Sequence, residues 1–241
     1  VNDNVTFDLA IDTLTNNLST VEGYNPTGTE GDADTLGNPG AMNDLVMDNA
    51  ILTIADDVSS LKLGDINGFH GDVYFVDDED LEGMELNTAM AGNNVRVFMG
   101  GNSGTEGTGG DFENQDFYGV TVAKELNAAT LTGKVYQSRM NGESVTDLAV
   151  ALDADVSETV AINGELVSSD DSNADSGTLM MFGAEMKASD AVTLTADAEM
   201  AGEDFTAVAG DLEESNDYDL YAVGAEMALN ESNTVTADYT L

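Results

Sequence analysis

The chain has 241 residues and carries 47 Asp and Glu against 6 Lys and Arg, a net charge of −41. So few cations exclude a nucleic-acid partner, because phosphate contacts need Lys and Arg, and the absence of Cys excludes disulfides, thiolate metal sites and Cys nucleophiles. Apolar residues make up 41% and aromatics 6% with no Trp, thin for a soluble two-sheet core, which hints that the apolar faces do not all meet one another.

Val5, Phe7, Leu9 and Ile11 alternate with Thr6, Asp8, Ala10 and Asp12, a period of two that predicts a first strand. A turn at Asn16 and Asn17 leads to Val21–Tyr24, and residues 25–43, with Pro26, Gly28, Gly31, Gly37 and Pro39, read as a long polar loop. Leu45–Ala55 and Leu61–Asp65 are the next strands, followed by an irregular stretch over Asn67–Asp80. Met84, Leu86, Thr88 and Met90 form one face, and Val95, Val97 and Met99 the next, before a Gly-rich loop over Gly100–Asp116. Tyr118, Val120, Val122 and Leu126 turn at Asn127 into Leu131, Gly133 and Val135.

The clearest pattern lies between Val145 and Met200, where four segments set an apolar row against a polar one. Leu148, Val150, Leu152 and Val156 alternate with residues that include Asp153 and Asp155, and Val160, Ile162 and Leu166 with Asn163 and Glu165. Met180, Phe182, Ala184 and Met186 alternate with Gly183 and Glu185, and Val192, Leu194, Ala196, Ala198 and Met200 with Asp197 and Glu199. Tight turns fall around Ser157 and Ser189, and a long polar loop over Ser168–Gly177. Phe205–Gly210 extends or follows the fourth segment; Tyr221–Leu229 and Val235–Leu241 close the chain.

About fourteen strands (range 12–16), many long enough to cross a bilayer at barrel tilt, predict an all-β, antiparallel transmembrane β-barrel with one plain and one elaborated rim. Residues 1–241 are read as one domain. No run of about 18 apolar residues occurs, which excludes a transmembrane helix but not a barrel. No signal peptide appears, and the abrupt strand-like opening predicts a processed or trimmed start.

If the apolar rows face lipid, the inward rows hold Asp8, Asp12, Asp153, Asp155, Glu165, Glu185, Asp197, Glu199, Glu226 and Asp238, which must then meet water or protein. Lys62, Arg96, Lys134 and Lys187 fall on inward rows too, whereas Lys124 sits on the apolar row near a strand end, where its stem can snorkel. Lys62, Arg96 and Lys134 lie on alternate strands and are expected to form a basic strip. Asp77, Asp78, Glu79 and Asp80, or Glu106, Asp111 and Glu113, are expected to fold in opposite it, giving a transverse field at a constriction. The alternative is that each cation pairs with a neighbouring acid on the wall. High-salt adaptation is the competing account of the overall acidity.

Catalysis is not expected. His70 is the only His, and Gly100-Gly101 and Gly107–Gly110 lack the Lys and following helix of a phosphate loop. No cofactor or metal site is expected; the acidic loops Asp77–Asp80 and Asp170–Asp175 have carboxylates suited to weak Ca²⁺ binding but no EF-hand spacing. The Met residues fall mostly on apolar strand faces, where gap-filling explains them.

Three phrases resemble bacterial outer-membrane general porins. Leu229-Asn230-Glu231-Ser232-Asn233-Thr234-Val235, running into Ala237-Asp238-Tyr239, resembles the turn and rising strand near a porin's C-terminal end. Lys124-Glu125-Leu126-Asn127-Ala128-Ala129-Thr130-Leu131 looks like the same device earlier in the chain. Leu81-Glu82-Gly83-Met84-Glu85-Leu86 is similar to the segment that starts a new wall strand after an inward-folded porin loop. Within that family the resemblance leans to the S-layer-linked porins of diderm Firmicutes. It implies a homotrimer of barrels in outer-membrane lipid that passes small hydrophilic solutes. Porins usually finish on a further strand ending in Phe, whereas this chain stops at Leu241, so a terminal strand is expected to be missing or the strand count to differ.

The leading reading is therefore a cation-preferring porin of the bacterial outer membrane, a passive channel for ions and small hydrophilic solutes. The rival is a secreted, salt-adapted β-sandwich or surface-layer protein with a structural or adhesive role.

Overall fold

The computed structural model describes residues 4–13, 45–106, 112–210, 212, 217–230 and 233–241, with the side chains of 10–13, 45–49, 103–114 and 230 left aside. Strands follow one another as β1 Val5–Thr13, β2 Leu45–Ala55, β3 Ser59–Phe69, β4 Glu79–Met90, β5 Asn93–Glu106, β6 Phe112–Leu126 and β7 Ala129–Met140. They continue as β8 Glu143–Ser157, β9 Val160–Asp171, β10 Gly177–Ser189, β11 Val192–Ala201, β12 Tyr218–Asn230 and β13 Asn233–Thr240. Among the described residues these thirteen strands form one sheet in chain order, every strand pairing antiparallel. The all-β expectation and its range of strand number hold. No hydrogen-bonded pairing joins β1 to β13 among the described residues.

Connections alternate in kind. One rim carries the short turns 56–58, 91–92, 127–128, 158–159 and 190–191, and the other carries the segments 70–78, 172–176 and 202–210. The β7–β8 turn on this second rim is tight, with Asn141 and Gly142 at φ 53° and 87°, the positive pair that matches strand twist in a two-residue hairpin. Two expected loops are shorter than their composition suggests. β5 runs to Glu106 and β6 begins at Phe112, while β9 runs to Asp171 and β10 begins at Gly177. Cross-strand pairing prevails over turn chemistry here: Gly100 and Gly101 pair with Phe117 and Asp116.

The turn at 56–58 has a specific fastening. Asp56 Oδ1 accepts the backbone N–H of Val58 at 2.8 Å and of Ser59 at 2.7 Å. Those bonds favour the ionised carboxyl and hold it below the usual Asp range. Their stabilisation is present above the unfolded-state value and fades as pH falls through the folded one. Asp56→Asn is thus expected to lower the unfolding midpoint slightly at neutral pH and to match wild type in acid, as read by denaturant titration at several pH values.

The two faces of the sheet differ as the alternation requires. On one face Leu148, Val150, Leu152, Val156, Leu166, Phe182, Val223 and Tyr239 are exposed. On the other face Phe98, Phe117, Tyr136, Ala149, Val167, Leu179 and Ala201 are buried. They are buried by chain from the elaborated rim, not by a second sheet. Segments 70–78 and 202–210 fold against this face, and Tyr74, Phe75, Val76, Phe205 and Val208 join the same core. The rival sandwich needs the apolar rows to meet each other, and they do not.

The two inward segments are joined to each other. Val76 N donates to Val208 O at 2.7 Å, Val208 N to Tyr74 O at 3.0 Å and Asp77 N to Ala209 O at 2.9 Å, a short parallel ladder around the Phe75–Val208 bridge. Phe205–Gly210, expected to extend or follow a strand, is therefore half of a luminal plug. Burying each large side chain of this plug contributes about 1.5–3 kcal/mol. Glycine makes the close approach possible: a Cβ on Gly177 would lie 2.2 Å from Phe205 N, and one on Gly119 would lie 2.1 Å from the Phe98 ring.

Candidate functional site

Register places side chains of the concave face in rows that run across the strands. Arg96, Thr121, Lys134, Ala149, Val167, Leu179 and Ala201 make one row. Thr132, Ala151, Glu165, Met181, Glu199 and Leu220 make the next, and Glu125, Thr130, Asp153, Asn163, Gly183 and Asp197 the one after. Apolar rows lie against the plug, and the rows become acidic toward the plain rim.

The plug is built from aromatic rings. Phe75 stacks on Tyr136 with centroids 4.9 Å apart and meets Phe117 edge-on at 6.0 Å, while Phe69 and Phe98 lie 4.7 Å apart. Tyr74 lies 6.4 Å from Phe205 in the second segment. Tyr74, Phe75 and Val76 have no exposed surface. Burial and the nearby carboxylates of Asp72 and Glu165 push the Tyr74 hydroxyl well above the usual phenol range, so it stays a donor.

Below the plug the face is acidic and open. A cavity of about 420 Å³ is lined by Asp72, Lys134, Asp153, Glu165, Asp197 and Glu199 among others. A second, of about 520 Å³, has Asp153, Asn163 and Asp197 in common with it and adds Glu125, Asp155, Glu185 and Thr195 toward the plain rim. Together they form one chamber that ends at the plug.

Three cations of the concave face are paired, and Lys187, on the same face toward the plain rim, is exposed. Lys62 Nζ lies 3.3 Å from Glu85 Oε2, and Arg96 Nε donates to Glu85 Oε1 at 2.8 Å, with its guanidinium over Phe69. Lys134 Nζ donates to Asp72 Oδ2 at 2.5 Å and Glu165 Oε2 at 2.8 Å. Tyr74 Oη donates to Glu165 Oε1 at 2.8 Å, and Tyr136 Oη lies 3.3 Å from Asp72 Oδ2. On the outer face Lys124 Nζ reaches Gly92 O at 3.0 Å, near a strand end.

Lys62, Arg96 and Lys134 thus share the concave face on β3, β5 and β7, but the acids that meet them are Glu85, Asp72 and Glu165. Asp77 bonds His70 Nδ1 at 2.6 Å, Asp78 Oδ1 lies 4.0 Å from His70 Nε2, Glu79 accepts from Asn102 at 3.4 Å and Asp80 from Gly68 N at 2.9 Å. These four stay at the return of the inward segment. Asp111 lies outside the described residues, as do the side chains of Glu106 and Glu113 and of Asp12. Asp153, Asp155, Glu165, Asp197 and Glu199 line the chamber, and Tyr218 Oη donates to Glu199.

Sequence reasoning misses Asp72 and Glu85 as site residues, although both carry a signal. Glu85 sits mid-strand on the row opposite Met84 and Leu86, and Asp72 directly precedes the apolar run Val73–Val76 inside an otherwise polar stretch. Among the described residues no group of three or more His, Asp or Glu is arranged to hold a metal ion.

No family model matches the chain, and no curated protein matches it. Among solved structures it is similar to a loop-deletion mutant of OmpT, an outer membrane protein of Vibrio cholerae. Identity there is 14% over 99% of this chain and 76% of that one, with TM-score 0.50. It is also similar to a doubly substituted OccD1 (OprD), at 14% identity over 80% of this chain and 56% of that one, with TM-score 0.54. The chain thus spans little more than half of the second protein's length. At such identities the likeness carries the fold, which is an antiparallel transmembrane β-barrel.

Proposed function

We propose that the chain is a non-catalytic channel of the bacterial outer membrane that passes cations and small hydrophilic solutes by diffusion. The observation that carries this reading is the sorting of the two faces: exposed apolar rows on the convex side, a continuous carboxylate-lined chamber on the concave side. Apolar rows suit acyl chains, and carboxylates with low-dielectric walls concentrate cations. Lys134, the one cation lining the chamber among the described residues, is matched by Asp72 and Glu165, so Asp153, Asp197 and Glu199 leave an excess of negative charge. A homotrimer, and one domain over residues 1–241, belong to the proposal on the porin resemblance and the single sheet respectively.

Reconstitution in a planar bilayer under a salt gradient tests this. Channel events with a cation-side reversal potential are expected, and Asp153→Asn with Asp197→Asn is expected to move that potential toward zero. Absence of events from folded protein defeats the channel reading; anion preference defeats only its selectivity.

A further inference from the structure

We propose that Lys134 is a latch that pins the luminal plug to the barrel wall, so that its ion pairs set how far the plug narrows the bore. The inference rests on the channel reading for its consequence, but the latch itself is a matter of geometry. Among the described residues, Lys134–Asp72 is the one ion pair between an inward segment and a wall strand. The same ammonium holds Glu165, two strands away on β9, and it gets there because β8 presents only Ala149 and Ala151 between them. Both bonds are well shielded, with side-chain exposures of 12% for Lys134, 17% for Asp72 and 11% for Glu165.

The arrangement is asymmetric in charge, and that asymmetry is what makes it a latch. Two carboxylates share one ammonium. Removing the ammonium leaves Asp72 on the plug facing Glu165 on the wall without a counter-ion, so attraction becomes repulsion in a shielded site. Removing Asp72's charge leaves the Lys134–Glu165 pair intact, with Tyr74 still donating to Glu165. The 70–78 segment is tied by its ladder to the 202–210 segment, which is itself held to the wall by Gly202 N to Thr178 O and Thr206 Oγ1 to Asp171 Oδ2, so what the latch governs is the seating of the 70–78 segment. Loss of Lys134 therefore acts on the seating of the plug, and loss of Asp72 acts less.

The absence of native Cys gives a clean probe, since Val76→Cys puts a single thiol on the plug at a fully buried position. Maleimide labelling is measured in folded, heat-modifiable protein in lipid, in parallel with bilayer conductance. The expected result is slow labelling with Lys134 present, at least about tenfold faster labelling with Lys134→Gln, a smaller rise with Asp72→Asn, and recovery with Lys134→Arg. Conductance is expected to rise in the same order. Equal labelling in all backgrounds, or a larger effect from Asp72→Asn than from Lys134→Gln, overturns the latch. If labelling follows the expected order but no background conducts, the latch stands and the channel reading falls. Should Val76→Cys itself loosen the plug, the same comparison is made with the thiol at Val208, buried on the second segment.

Discussion

Phe75→Ala is expected to unseat the plug at a cost of about 3–5 kcal/mol, the range for deleting a buried aromatic ring. Phe75 has no exposed surface, stacks on Tyr136 and meets Phe117 and Phe98, so the vacated space borders rings from three neighbouring wall strands. The wall's hydrogen-bonded ladders do not pass through Phe75, so far-UV circular dichroism is expected to stay near wild type. The near-UV signal of the packed rings is expected to collapse at a lower denaturant concentration, and conductance to rise. Phe182→Ala serves as the control. Its ring lies on the convex face, about half exposed, so the near-UV midpoint is expected to move little. If Phe75→Ala leaves both the near-UV transition and the conductance unchanged, the ring cluster is not what fills the bore.

The second large effect concerns the outer wall. Val150 lies at the middle of β8 on the exposed apolar row, flanked across the ladders by Gly133 and Leu166. Val150→Arg places a guanidinium at acyl-chain depth, which costs about 2–4 kcal/mol at the bilayer midplane. The folded, heat-modifiable fraction recovered in lipid vesicles is expected to fall sharply. Asp153→Arg, three residues on and facing the chamber, is expected to fold as wild type because its side chain meets water. The opposite outcome, tolerance at Val150 and failure at Asp153, reverses the assignment of the two faces.

Much of the wall is legible in the sequence because a strand's period of two leaves few choices once one face must be apolar. Such alternation needs no partner to be recognised, so the rows from Leu148 to Val156 and from Val192 to Met200 can be assigned to the faces they occupy. Register then carries Lys62, Arg96 and Lys134 to the concave side. The plug is not legible. Val73–Val76 and Phe205–Val208 have no periodicity, and their partners lie far away in the chain, so nothing local distinguishes an inward segment from an ordinary loop. The acids that meet the cations escape sequence reasoning for the same cause. Asp77–Asp80 looks decisive as a run of charge, yet Glu85 across the ladder and Asp72 at the plug tip reach the cations because position, not charge density, decides a contact.

The Phe75–Val208 bridge also dictates an order of assembly. Its first half is synthesised and delivered long before its second, and a contact between such distant residues must await closure of everything between them. Eight wall strands, β4 through β11, lie between the two halves, and pairing them is what brings the halves within reach at least entropic cost. Seating of the plug is thus a late event in biogenesis, and the nascent barrel passes through a stage in which the wall rows it covers are still hydrated.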